Sequence, residues 1–523
     1  MPQSAATAQR SQAEVRDGIS ALVNAGLVFQ RGEIPEATFS FKHALVRDAA
    51  HGTLLRGTRQ RLHERIAEAL QVVTPNVVDI HPELLAQHYE DAGLDHKAIE
   101  YWTRAGKLSA ARSALAEAAT QFEKALARLR LLPDGPERQW EELDLQANLG
   151  AIRFAIRGWA APETGQCYAR ARALWEELGY PSEFVRVPWG QWMYHLNRGD
   201  LDLALRLAED LMDRCQERAD IRGLILAHLC RGGARLMRGN FGSSCAHFRK
   251  IDHLYVADLH CDLVQQAGVN PHAMGLTFLG FAHFCLGYPE QALAYVNAGI
   301  AEAQSEQHRP SIAQSLAIKA RLLCFIGDAT TLAECADRLS AIGVDQGFPY
   351  WRATGLIYRG WALVAVGDFE NGVVLIQQGI SACQATGAIT WLPLFQGLQA
   401  QACAACGQSD RAFTLLEEAL QTAQRTGERW FAAELNRHNG QLLLRQGHSE
   451  AAEKLYRKAL SIARTQQAKL WGLRAARDLA RLWGERGRRT EARDLVATVY
   501  GWFTEGFDTA DLKEAKALLD QLA

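Results

Sequence analysis

The chain has 523 residues, 48% of them apolar, and only 14 prolines, a composition suited to packed helix. Lys and Arg number 57 against 59 Asp and Glu, so the net charge of −2 excludes a general electrostatic pull toward nucleic acid or anionic membrane. Eleven cysteines without framework spacing, no apolar core in MPQSAATAQRSQ and no run of about 18 apolar residues together suggest a reduced, cytoplasmic, non-membrane protein.

In chain order, residues 1–12 read as a polar, disordered tail. A helix over Ala13–Ala25 ends at Gly26. Leu27–Gln30 and Thr38–Phe41 read as two strands around a turn with Gly32 and Pro35, followed by a helix from about Lys42 to Leu55. Helix, strand, turn, strand, helix is the layout of the last part of a winged helix, assigned to 13–75. Residues 81–180 read as irregular helical repeats. Gly93 has Ala86 before it and Ala98 and Trp102 after it, and helices are expected over Asp95–Arg112, Leu115–Leu131, Glu137–Ile156 and Pro162–Leu178. Pro133–Pro136 and Tyr180-Pro181 are breaks.

From 181 to 500 the chain repeats. Gly199, Gly239, Gly287, Gly327, Gly367, Gly407, Gly447 and Gly487 stand 40 residues apart, save one interval of 48. Seven residues before each glycine the position is Gly or Ala in all units but one, where it is Trp192. Five residues after come Ala204, Ser244, Ala292, Leu332, Gly372, Ala412, Ala452 and Ala492. Small residues at both places are needed where two helices pack closely, and the glycine between them can take positive φ and end the first helix. The second helix is amphipathic: in Ser409–Gln424, Ala412, Leu415, Leu416, Ala419, Leu420 and Ala423 share one face, and Glu417, Glu418, Gln421 and Gln424 the other. Residues 501–523 read as a C-terminal capping helix.

These offsets resemble the tetratricopeptide repeat, whose usual unit is about 34 residues. The resemblance implies an all-α solenoid of helix hairpins, with a small winged-helix-like remnant before it. A second resemblance rests on longer stretches. IPEATFSFKHALVRDAAHGTLLRGTRQRLHERIAEAL (Ile34–Leu70), His81–Leu126 and Gly501–Leu522 resemble the region after the ATPase core in a bacterial family of signal-transduction ATPases. Many members of that family carry a class III adenylate/guanylate cyclase domain, then an AAA- or STAND-type ATPase, then a tetratricopeptide-like array. The chain departs from the family in having no G-x-x-x-x-G-K-[ST] loop: its only Gly-Lys pair, Gly106-Lys107, has Tyr101 where the first glycine is required. No catalytic residues, cofactor or metal are expected.

Several single residues have a functional reading beside plain packing. In the resembled family a winged-helix histidine touches the nucleotide phosphates, and Phe39-Ser40-Phe41-Lys42-His43 resembles that motif. His43 is the one nucleotide-sensor candidate, set against a role in packing or capping. His253, His260, Cys261 and His272, in and around the eight-residue insertion, match no zinc spacing and read as an ordinary loop. Cys403 and Cys406 form a lone C-x-x-C inside an apolar helix and read as core. Trp351, Trp391, Trp430 and Trp471 recur near the start of successive first helices, which suggests a shared packing role. Arg56, Arg59, Arg61 and Arg65 read as a solvated helix face.

The function expected is a non-enzymatic sensor or scaffold that holds a protein or peptide in the concave groove of the array, with a P-loop ATPase or cyclase subunit as a further candidate partner. The alternatives are a subunit of a cyclase or ATPase whose nucleotide site is supplied elsewhere, and a transcriptional regulator.

Overall fold

Every glycine of the 40-residue ladder carries a positive φ, from 77° at Gly199 to 92° at Gly367, and each follows the end of a helix. A computed structural model describes residues 11–32, 37–112 and 114–523, and these are helical almost throughout. The chain is an all-α, tetratricopeptide-like stack of helix hairpins with two short strands near its start. It divides into two compact units, one ending at Ile152 and one beginning at Arg153.

The first unit opens with α1 (Gln12–Asn24). Ser11 caps it: its hydroxyl accepts from Glu14 N at 3.3 Å, and Ser11 N donates to the Glu14 carboxylate at 2.9 Å. Ser11 and Gln12 therefore belong to a helix start rather than to a tail, while residues 1–10 and the Pro35 turn lie outside the described residues. Strands β1 (Val28–Arg31) and β2 (Thr38–Phe41) pair antiparallel, with Val28 opposite Phe41. Helices α2 (Ala44–Gly52), α3 (Arg56–Val73) and α4 (Pro75–Ile80) follow. Helices α5 (Pro82–Ala92), α6 (Asp95–Ala111) and α7 (Leu115–Leu129) form hairpins with buried Leu85, Trp102 and Phe122. Helix α8 (Pro136–Arg157) carries the division between the units.

The second unit continues with α9 (Pro162–Glu177) and then the regular array. Its first helices are α10 (Arg186–Asn197), α12 (Ile221–Met237), α15 (Pro271–Cys285), α17 (Arg309–Ile326), α19 (Pro349–Ala365), α21 (Leu392–Ala405), α23 (Ala432–Arg445) and α25 (Lys469–Glu485). Its second helices are α11 (Leu201–Glu217), α13 (Phe241–Leu254), α16 (Pro289–Ser305), α18 (Ala329–Asp345), α20 (Phe369–Ala385), α22 (Ser409–Thr426), α24 (Ser449–Thr465) and α26 (Arg489–Tyr500). The insertion forms the extra helix α14 (His260–Ala267), and α27 (Ala510–Leu522) closes the chain. Ala204, Ala292, Ala412, Ala452 and Ala492 are fully buried between paired helices. At Gly280 a methyl would lie 2.6 Å from Ala292 O, so side chains larger than hydrogen would push that hairpin apart.

The array then curls far enough to touch itself, about five hairpins on. Ile389 N donates to Asn197 O at 2.8 Å, Arg429 N to Met237 O at 2.8 Å, and Lys469 Nζ to the Tyr288 hydroxyl at 3.3 Å. Next along this seam, Glu505 accepts from Glu290 N and Gln291 N at 2.8 and 3.1 Å. Helix-end carbonyls, left without partners inside their own helices, are satisfied here by loops from distant repeats.

The inner side of the curl is filled. Trp430 is fully buried, with its ring centroid 5.3 Å from Trp391, 5.1 Å from Phe281 and 6.4 Å from Trp471. Phe325 packs 5.0 Å from Trp471. Three of the four recurrent tryptophans thus meet in one aromatic cluster; Trp351 instead packs on Tyr350 at 4.9 Å. These rings fill this stretch of the concave groove in which a protein or peptide is expected. Apolar ring area at the N-terminal ends of the first helices is removed from water only if the curl closes over it.

Candidate functional site

The second helices lie on the outer side of the curl, and a groove of about 680 Å³ runs between α20 and α22 with α21 as its floor. Glutamines dominate it. Gln384, Gln421 and Gln424 stand exposed along the rim beside Arg425, and Gln396 rises from the floor. Gln396 is 7% exposed; its Nε2 donates to Glu418 at 3.3 Å, and its Oε1 is buried without a hydrogen-bond partner. Toward the other end of the same helices, buried Gln399 donates to Gln377 Oε1, which also accepts from Arg411 at 2.9 Å.

An amide side chain offers a donor and an acceptor at once, the same pair that a peptide group offers. A buried acceptor left unmade costs roughly 1–3 kcal/mol, so Gln396 Oε1 is set to gain from an incoming N–H. Helical spacing puts Gln421 and Gln424 on the polar face of α22 and assigns them no role. Period analysis separates apolar from polar positions; it cannot show that the polar edges of three helices converge.

The expected site residues fall apart from this groove. His43 is the N-cap residue of α2, exposed, and makes no side-chain capping bond; Arg47 pairs with Asp48 beside it at 2.8 Å in solvent. Arg56 and Arg61 are exposed on α3, and Arg59 and Arg65 are half-buried there. In the insertion, His260 and His272 join carboxylates rather than a metal cluster. His272 Nδ1 lies 2.7 Å from Glu302 and its Nε2 3.1 Å from Asp252, and His260 lies 3.2 Å from Glu306. Burial lowers the His272 pKa, and Glu302 and Asp252 more than offset it, leaving it above the ordinary value. Among the described residues no three His, Cys, Asp or Glu side chains are arranged to hold a metal ion. Cys403 is buried and Cys406 half-buried, both as free thiols. No helix among the described residues is long and apolar enough to cross a membrane.

Two buried polar centres brace the interior. Arg321 lies 3.9 Å over the Trp391 ring. Glu428, 1% exposed, accepts from Trp391 N at 3.1 Å and from Trp430 Nε1 at 2.9 Å. Burial pushes the Glu428 carboxyl up to about 7, against the lowering effect of those bonds and of Arg321. The second centre joins α23, α25 and α27. Glu434 accepts from Arg437 Nε at 2.6 Å and from Arg474 at 3.2 Å, Arg437 reaches Asp478 at 2.9 Å, and Arg474 grips Asp511 at 2.7 Å.

No protein-family model matches the chain. It is 25% identical over 489 residues to an uncharacterized protein of Rhizobium meliloti (strain 1021), a match that covers 90% of this chain and 47% of the relative. The chain thus spans about half the length of that curated relative. Among solved structures it is similar to a Rap protein complexed with Competence and Sporulation Factor, at 11% identity and a TM-score of 0.43, covering 83% of this chain and 99% of that one. It is also similar to the apo form of the quorum sensor NprR from B. thuringiensis, at 15% identity and a TM-score of 0.42, covering 71% and 99%. The apo form of RapI gives 10% identity and a TM-score of 0.36, covering 57% and 99%. At these scores the likenesses carry no argument about a binding site.

Proposed function

We propose that this chain is a non-enzymatic protein-binding and regulatory module that takes an extended polypeptide segment into the glutamine-lined groove between α20 and α22. The observation that supports this most is Gln396, whose Oε1 is buried in the groove floor with nothing to accept from. An extended backbone supplies alternating N–H and C=O groups, and a row of amides can pair with both irrespective of sequence. Glu418 and Arg425 at the same groove would then set a charge preference for the flanking side chains.

The test is selection of a random peptide library on the immobilised full chain, followed by affinity measurement on the wild type, Gln396→Leu and Gln421→Ala. The expected result is a set of enriched peptides whose affinity falls about tenfold or more in Gln396→Leu. No enrichment over the blank surface, or affinities unmoved by either substitution, would sink the reading.

The wider context rests on the sequence resemblance alone. In that reading the module is cytoplasmic, residues 13–75 are a winged-helix end, and the array is the input half of a signal-transduction ATPase or cyclase-type system. Its protein partner is then a P-loop ATPase or cyclase subunit, with His43 near the nucleotide. Affinity capture of the tagged chain from its own cytoplasm, with bound proteins identified by mass spectrometry, tests this. Enrichment of a P-loop ATPase or cyclase is expected; its absence would remove the context and the role of His43.

A further inference from the structure

The C-terminal ends of the first helices α19, α21 and α23 leave a second cavity, distinct from the glutamine groove, of about 220 Å³. Part of its wall is apolar: Trp361 and Val364 of α19, Ala404 of α21, Leu416 of α22 and Leu442 of α23. Four polar side chains share this lining, Gln401 of α21 and Gln441, His438 and Arg445 of α23, and the two basic ones, His438 and Arg445, bear on what could enter. His438 lies in one wall and is 4% exposed. Arg445 lies two turns along the same helix and is exposed. Positions 438, 442 and 445 share one helix face, so the two groups are separated by about 10 Å along the axis at 1.5 Å per residue.

The hydrogen bonds around His438 fix its state. Arg437 Nη2 lies 2.7 Å from His438 Nε2, and a guanidinium can only donate, so Nε2 is the acceptor and Nδ1 carries the proton. That Nδ1–H is buried and has no partner. Behind it stand three guanidinium groups and three carboxylates, from Arg437, Arg474, Arg477, Glu434, Asp478 and Asp511, which form the paired network of α23, α25 and α27. The imidazole is therefore held in place from behind and cannot turn its free N–H toward another protein acceptor without breaking the bond from Arg437.

A buried donor without an acceptor beside a partly apolar cavity is a cost that a ligand oxygen would remove. We propose that this cavity is a binding site for a small amphipathic acid: an apolar body of about the size of an eight-carbon chain lies against Trp361, Val364 and Leu442, an oxygen of the ligand accepts from His438 Nδ1–H, and Arg445 at the mouth favours an anion over a cation. The site requires neither the glutamine groove nor its occupant.

The probe is octanoate, with octylamine as the matched cation, both titrated into the full chain by calorimetry. Octanoate is expected to bind at about 1 mM or tighter and octylamine at least about tenfold more weakly. Arg445→Glu, a surface change that leaves the core intact, is expected to weaken octanoate about tenfold. Ala404→Trp, which fills the cavity, is expected to abolish binding with an unchanged circular dichroism spectrum. With histidine labelled by nitrogen-15, the Nδ1–H resonance of His438, assigned by its loss in His438→Phe, is expected to shift on adding octanoate. No octanoate binding, equal binding of acid and amine, or octanoate binding retained in Ala404→Trp would each overturn the proposal.

Discussion

Gly199 and Gly447 occupy the same rung of the repeat, and substituting each by alanine separates what the repeat requires from what the closed curl requires. Their φ values are 77° and 85°, so the left-handed strain of an alanine, roughly 1–2 kcal/mol, is shared by both variants. Beyond that the two differ. A methyl at Gly447 meets nothing within 4 Å, whereas at Gly199 it would lie 2.6 Å from Thr426 Cγ2 and 3.3 Å from Ile389 Cγ2. Thr426 cannot swing aside freely: its hydroxyl donates to Thr422 O at 2.8 Å and accepts from Glu428 N at 3.2 Å. The loop at 389 is held by its bond to Asn197 O. Overpacking of this kind costs typically about 1–3 kcal/mol, so Gly199→Ala is expected to exceed Gly447→Ala by that difference. Urea denaturation gives the stabilities, and hydrogen exchange at 387–391 and 426–430 shows whether the seam has opened. Equal destabilisation by the two variants, or unchanged exchange at the seam in Gly199→Ala, would refute the self-contact of the array.

Other consequences are as definite. Trp430→Ala removes the fully buried centre of the aromatic cluster and is expected to cost about 3–5 kcal/mol by chemical denaturation, with protection lost first at the seam. Because burial raises the Glu428 pKa from the ordinary carboxylate range to about 7, folding is favoured below the unfolded value, and that contribution is lost as pH rises through 7. Thermal melts from pH 4.5 to 8 should show the loss, on the order of 3 kcal/mol, and Glu428→Gln should flatten it. His272, also raised, contributes stability that is fully present below the ordinary histidine value and declines as pH passes its folded value; exchange in α13 and α16, which carry its partners Asp252 and Glu302, should quicken with it, and His272→Ala should abolish that pH dependence. Arg437→Met leaves Glu434 and Asp478 buried with one cation fewer and is expected to destabilise the C-terminal hairpins by about 3–5 kcal/mol, whereas changing exposed Arg457 to Met should move them by under about 1 kcal/mol.

The amino-acid order alone determined the hairpin array. Its period, its small residues at Ala204, Ala292, Ala412, Ala452 and Ala492, and its positive-φ glycines are local requirements: each follows from two neighbouring helices packing closely and one of them ending. The helix start at Gln12, capped by Ser11 and Glu14, did not stand out there, because the polar composition around it points to a tail. Curvature is not local. A small change in angle per hairpin, summed over five hairpins, decides whether Met237 O meets Arg429 N or faces water, and no single residue encodes that sum. For that reason eight equivalent glycines divide into some pressed against distant loops and others, such as Gly447, in open space. For the same reason Trp391, Trp430 and Trp471, equivalent in the repeat, became neighbours. The glutamine groove and the His438 cavity belong to this second category: their residues lie on three or four helices, their types are ordinary for polar faces and helix ends, and only packing brings an unmet acceptor or donor up to a space that a ligand could enter.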